Sequence, residues 1–230
     1  MLKGELKKKK ILETAEKLFF EKGYQGSTVD DLLGMLQCSK GSLYHHFESK
    51  QQILTAICLN KVTDAFTAYR NEDTNQPLHA VNRLLYYALP VRKGQEQFIS
   101  TLLPLMGTVD SDIVADTFVQ AEEQLFCPEF KKLLGELRDR QQAFYNLDAL
   151  PELLFGTYNY YMKAILTLGG SCDTAQLPSA VSDLLRAVRF MVERCLDLPY
   201  GSMDMVLLDE VLYTLNHARL LNSGEQPRQE

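Results

Sequence analysis

Between Thr28 and Ile53 the chain reads TVDDLLGMLQCSKGSLYHHFESKQQI, and no other stretch constrains the fold as tightly. Thr28 with Asp31 three residues on is a helix-start signal. Val29, Leu32, Leu33 and Leu36 then give that helix an apolar face. Gln37-Cys38-Ser39 breaks it. Ser39 and Ser42 open a second, short helix that buries Leu43 and Phe47, spaced i and i+4. Its outer face carries Ser39, Lys40, Ser42, His45 and His46. Ser49-Lys50-Gln51-Gln52 fits a serine/x/x/glutamine capping box and starts a further helix.

Two helices joined by a three- to four-residue turn, the second short and polar outside, describe a helix-turn-helix. The residue types suit DNA. Gly41 removes a side chain where a helix N-terminus must approach the duplex, and free N–H groups there can meet a phosphate. Lys40 can reach guanine O6 and N7, and Ser39 and Ser42 are short donors and acceptors. Tyr44, His46 and Lys50 are suited to gripping backbone oxygens and fixing register.

The segment SKGSLYHHFESKQQIL resembles the recognition-helix signature of the tetracycline-repressor (TetR) family, where Ser-Lys-Gly-Ser/Thr-Leu-Tyr, a Phe and then a Lys recur in this order. The resemblance covers roughly residues 8 to 60. It implies that Thr28, Tyr44, His46 and Lys50 contact phosphates while Ser39, Lys40, Gly41 and Ser42 face bases, with His45 beside them. One position departs from the pattern: Gln37 stands where the family usually has Gly. If the turn is left-handed there, a non-Gly residue costs roughly 1–2 kcal/mol.

A net charge of −6 argues against nucleic acid only when averaged over the chain. Residues 1–60 hold nine Lys against seven Asp plus Glu, a net of +2, which leaves −8 on the other 170. Lys3, Lys7, Lys8, Lys9 and Lys10 concentrate that charge, either as a basic DNA-facing end or as a solvated helix start. With 230 residues, 46% of them hydrophobic, the chain has enough material for a sizeable core. Cys38, Cys58, Cys127, Cys172 and Cys195 have no metal or pairing spacing, and their odd number suits reduced thiols in a cytoplasmic protein. MLKGELKKKK lacks the apolar run of a secretory leader, and no stretch reads as a membrane span.

Elsewhere the periodicity is helical, giving an all-α class: a three-helix DNA-binding domain over 1–50 and a larger effector-binding and dimerisation domain over 51–230. A first helix runs from about Glu5 to Lys22 on Ile11, Leu12, Ala15, Leu18 and Phe19, stopped by Gly23 with Tyr24 folded back. A helix over about 51–70 connects the domains, and Asn71 to Pro77 is a polar linker. Pro104 should kink or end the helix begun at Gln95. Another helix is expected from Asp110-Ser111 to Phe126, and Pro128 should start a separate one. A last helix, 203–221, has an apolar face of Met205, Leu208, Val211, Leu212 and Leu215, ahead of a polar end at 223–230.

Helices over 150–168 and 177–198 are apolar on more than one face, so they must bury more than one face. The reading is a dimer interface through Leu153, Tyr160, Val181, Leu184, Leu185, Val188, Met191, Val192 and Cys195. The family resemblance implies the same, since TetR-like proteins commonly dimerise through their last two long helices. A two-fold dimer presents two reading helices to half-sites roughly 34–36 Å apart. The resemblance also implies a small-molecule cavity among the middle helices, with Phe98, Met106, Phe118, Tyr158, Tyr161 and Met162 as candidate lining. An apolar or aromatic effector suits those side chains.

No cofactor motif, Walker loop, GxSxG or HExxH occurs, and the histidines lack metal spacing, so neither an enzyme nor a metalloprotein is expected. The chain reads as a homodimeric regulator on a palindromic double-stranded operator, released by a small effector. The alternative is a DNA-bound interaction protein that recruits a protein partner without an effector.

Overall fold

The computed structural model describes residues 3–72, 74, 76–204 and 208–223. Those residues form helices and loops with no strand. α1 (Lys3–Lys22), α2 (Val29–Leu36) and α3 (Lys40–Tyr44) make the N-terminal unit, and α4 (Lys50–Asn71) leads out of it. The body comprises α5 (Pro77–Ala88), α6 (Glu96–Leu102), α7 (Val109–Asp139), α8 (Leu150–Ser171), α9 (Leu177–Cys195) and α10 (Leu208–Ser223).

Local chemistry sets the N-terminal boundaries. Gly23 takes a positive φ of 73° after α1, and buried Tyr24 stacks edge-on against Phe19 at 5.2 Å. The Thr28 hydroxyl accepts the Asp31 N–H at 3.0 Å, and the Asp31 carboxylate accepts the Thr28 N–H at 2.9 Å. Ser49 accepts the Gln52 N–H, while the Gln52 side chain accepts the Glu48 N–H at 2.6 Å. Each of these caps satisfies backbone donors that a helix start otherwise leaves unpaired.

α4 joins the two parts of the core. Ile53, Leu54 and Ile57 are buried with the N-terminal helices, and Val62, Ala65 and Tyr69 continue into the body, where α4 packs along α7. Pro104 ends α6 as expected, and the chain tightens into a 3-10 turn over Leu103–Leu105.

Pro128 does not begin a new helix. It lies inside α7, a single helix of 31 residues. Pro128 and Gln124, whose carbonyl loses its partner, are both on the exposed side. Water can satisfy that carbonyl, and buried Phe126, Phe130, Leu133 and Leu134 hold the helix on either side of the proline.

α10 closes the body. It packs on α6, α8 and α9 through Val211, Thr214, Leu215 and Ala218. Arg219 donates to the carbonyls of Gly169, Leu168 and Cys172, capping the end of α8. Gly169 and Gly170 are needed there, because a Cβ would stand 2.6 Å from a Leu215 methyl and 2.8 Å from the Leu103 carbonyl oxygen respectively. Met205, expected on this helix's apolar face, and residues 224–230 of the polar end lie outside the described residues.

Candidate nucleic-acid interface

The turn between α2 and α3 has the left-handed geometry inferred for Gln37, with φ 51° and ψ 43°. Ser39 caps α3, its side chain accepting the Ser42 N–H at 3.3 Å. Leu43 and Phe47 are buried, which turns Lys40, Gly41, Tyr44 and His45 outward. Nothing lies within 4 Å of where a Gly41 side chain would begin, so the helix start is open on that side.

α1 contributes more to this surface than the sequence motif indicated. The Lys7 ammonium donates to the Ser42 hydroxyl, and Lys8 stands 5.7 Å from the Phe47 ring centroid. Lys40 lies 5.8 Å from the Tyr44 ring, and the two histidine rings meet edge-on at 5.2 Å. Lys7, Lys8, Lys40 and His46 thus surround the reading helix. The KKKK run was the signal for Lys7, but nothing local revealed that it reaches Ser42 across 35 residues. Desolvation, followed by the positive influence of His45, Lys7 and Lys8, holds His46 below the usual imidazole range. A neutral imidazole at neutral pH is therefore ready to take up a proton beside a phosphate.

Thr28 and Lys50, expected at phosphates, carry structural bonds. Thr28 is exposed but committed to the Asp31 box. The Lys50 ammonium donates to the Tyr24 and Ser27 carbonyls at 2.7 and 2.9 Å, leaving one donor for a phosphate.

The six candidate effector residues do not share one cavity. Phe98 and Phe118, with ring centroids 6.0 Å apart, line a cleft beside α4 together with Tyr87, Arg92 and Phe126. It leaves about 10 Å³ for the centre of a water-sized molecule. Met106 and Met162 border another cleft, of about 20 Å³, between α7 and α8. Tyr158 and Tyr161 are fully buried, with rings 5.8 Å apart, and the Tyr158 hydroxyl donates to the Leu85 carbonyl.

The candidate dimer residues also divide. Val181, Leu185, Val188 and Val192 are buried within the subunit's own core, where α9 packs on α8 and α10. That corrects their place on an outward face: the stripe is apolar because it closes the monomer. Leu153 and Tyr160 are 66% and 68% exposed, Cys195 is exposed, and Leu184 and Met191 are half-buried. Phe190, 58% exposed, belongs with them.

Residues 11–57 match the family described as bacterial regulatory proteins, tetR family. The chain is 25% identical over 153 residues to the transposon Tn10 TetC protein of Escherichia coli, spanning 64% of this chain and 74% of that one. It is 27% identical over 164 residues to IcaR of Staphylococcus aureus (strain Newman), the negative transcriptional regulator of the biofilm operon icaADBC, spanning 68% and 83%. The fold is similar to Salmonella enterica GusR, with TM-score 0.55, 18% identity, and 83% and 95% of the two chains covered. It is also similar to RolR in complex with resorcinol, with TM-score 0.53, 14% identity, and 93% and 94% covered.

A capped helix-turn-helix with a basic rim, on a helical body, together with these relatives, defines a DNA-binding transcriptional regulator. Residues 11–57 carry the tetR-family match, and the chain as a whole is similar to regulators of that family. Among the described residues no helix is long and apolar enough to cross a membrane.

Proposed function

We propose that this regulator is a homodimeric repressor that sits on a palindromic operator and is released by a small effector bound in the body. The N-terminal unit, 1–50, would read DNA, and 51–230 would bind effector and partner subunit. The observation that carries the reading is the outward face of α3, where Lys40, Tyr44 and His45 are exposed around an open helix start rimmed by Lys7 and Lys8. Direct readout comes from Ser39, Lys40, Gly41 and Ser42; Thr28, Tyr44, His46 and Lys50 grip phosphates.

A two-fold partner accounts for Leu153, Tyr160 and Phe190 standing exposed on adjacent helices α8 and α9. Release would act as a population shift: an effector that prefers a conformation with wrongly spaced reading heads draws the protein off the operator. α4 is the natural lever, because Lys61 on it pairs with Glu16 of α1 at 2.5 Å and lies 5.4 Å from the Phe98 ring in the body.

A second reading, a DNA-bound protein that recruits a partner without an effector, is favoured by the nearly filled interior clefts. Sedimentation and gel-shift of the purified chain on DNA from upstream of its own gene test the first reading. A dimer that shifts one duplex selectively supports it. Leu153→Glu with Tyr160→Glu should give monomers that lose the shift; dimers that persist would contradict this interface.

A further inference from the structure

Glu122 lies on α7 one turn from Phe118 and one turn from Phe126, the two rings that line the cleft beside α4. It is fully buried, and neither carboxyl oxygen has a hydrogen-bond partner among the described residues. Neither nearby polar side chain donates to it. Arg92 turns its guanidinium to the carbonyls of Tyr87 and Leu89, and the Tyr158 hydroxyl donates to the Leu85 carbonyl. A buried carboxyl without partners is expensive, and its cost is retained where something other than folding uses it.

Resting on the reading of this chain as an effector-released regulator, we infer that Glu122 is the acidic anchor for a small aromatic cation, an ammonium or amidinium. The ligand enters by opening the closed cleft between α4, α5 and α7.

A carboxylate offers only acceptor sites, so the ligand must bring N–H donors. The cleft's walls include Phe98, Phe118 and Phe126, whose ring faces attract a cation and stack on an aromatic body. An anionic ligand could not draw the proton off Glu122 and would find Lys61 already paired with Glu16. Burial holds the free carboxyl well above the usual carboxylate range, with Arg92 opposing and Tyr158 close by. Binding of a cation therefore releases the Glu122 proton to solvent. The same event displaces Phe98, under the Lys61 ammonium that reaches Glu16 of α1.

Isothermal titration of the full-length protein with benzylammonium, benzyl alcohol and benzoate, in two buffers of different ionisation enthalpy, tests this. Benzylammonium should bind about ten-fold tighter than benzyl alcohol, with about one proton released. In Glu122→Gln that preference and the proton release should both vanish while operator binding persists. Equal or tighter binding of the alcohol or benzoate, or an unchanged preference in Glu122→Gln, overturns the anchor. It would leave the effector reading standing if the bound compound still frees the operator. No binding by any of the three also overturns the anchor, and release of the operator by an unrelated compound would then separate that failure from failure of the effector reading.

Discussion

The Lys50 ammonium lies 2.7 Å from the Tyr24 carbonyl oxygen and 4.2 Å from the centre of the Tyr24 ring, so the first residue of α4 holds the turn that follows α1. Tyr24 in turn packs on Phe19 in the N-terminal core. The residue that begins the connecting helix thus positions the reading head, and a phosphate contact at its remaining donor would report on that positioning.

Lys50→Met should therefore destabilise the protein by about 1–2 kcal/mol, from charge-assisted hydrogen bonds and a cation–ring contact at a partly exposed site. Lys40→Ala should leave stability within about 0.5 kcal/mol, since Lys40 is exposed. Urea denaturation of both variants separates the roles. Equal stability of the two would show that Lys50 holds nothing together.

Gln37 occupies the left-handed region at φ 51°, where a Cβ is penalised. Gln37→Gly should raise stability by roughly 1 kcal/mol, the relieved strain being partly offset by the entropy of the unfolded glycine. A lower denaturation midpoint in Gln37→Gly would mean that the glutamine side chain supports the turn.

His46 is held below its usual range, mainly by desolvation and then by His45, Lys7 and Lys8. A phosphate beside it would raise the imidazole pKa, so that binding DNA would take up a proton. Operator affinity should consequently rise as pH falls to about 6.5 and continue rising below it, until the lowered pKa of the free imidazole is passed. His46→Gln should flatten that dependence. Anisotropy titrations at several pH values check it, and a slope unchanged in His46→Gln would place the proton elsewhere.

Glu122 is raised above its ordinary value by complete burial, with Arg92 opposing the shift and Tyr158 adjacent. Between pH 4.5 and the folded value, the native state holds a proton that the unfolded state has lost, so stability falls as pH rises through that window. Glu122→Leu should abolish this contribution and gain about 1–3 kcal/mol at pH 8, because a buried group without partners is removed. Melting curves from pH 5 to 8 decide it: an identical pH slope in the variant would contradict the burial argument.

The caps of the reading head were legible in the sequence because they are local. Thr28 with Asp31, Ser39 with Ser42, and Ser49 with Gln52 each close over three residues. Periodicity also located the apolar face of α9, but it cannot say what covers that face. Val181, Leu185, Val188 and Val192 turned out to close the monomer, while Leu153, Tyr160 and Phe190 stay exposed. At Pro128 a local rule lost to tertiary burial, since the helix is held by side chains whose packing partners lie far along the chain. Glu122 was the least legible of all. It sits next to exposed Glu123, and nothing local says which of two neighbouring glutamates the fold buries.

The central claim is that α3 reads a specific DNA sequence through Lys40 and its neighbours. Fluorescence anisotropy of a duplex from upstream of the protein's own gene, titrated from about 50 to 200 mM salt with wild type and Lys40→Ala, tests it most directly. The account predicts tight, salt-sensitive wild-type binding that a scrambled duplex cannot match, and loss of that preference in Lys40→Ala with the fold intact. Undiminished selective binding by Lys40→Ala, or equal wild-type affinity for the scrambled duplex, would contradict it.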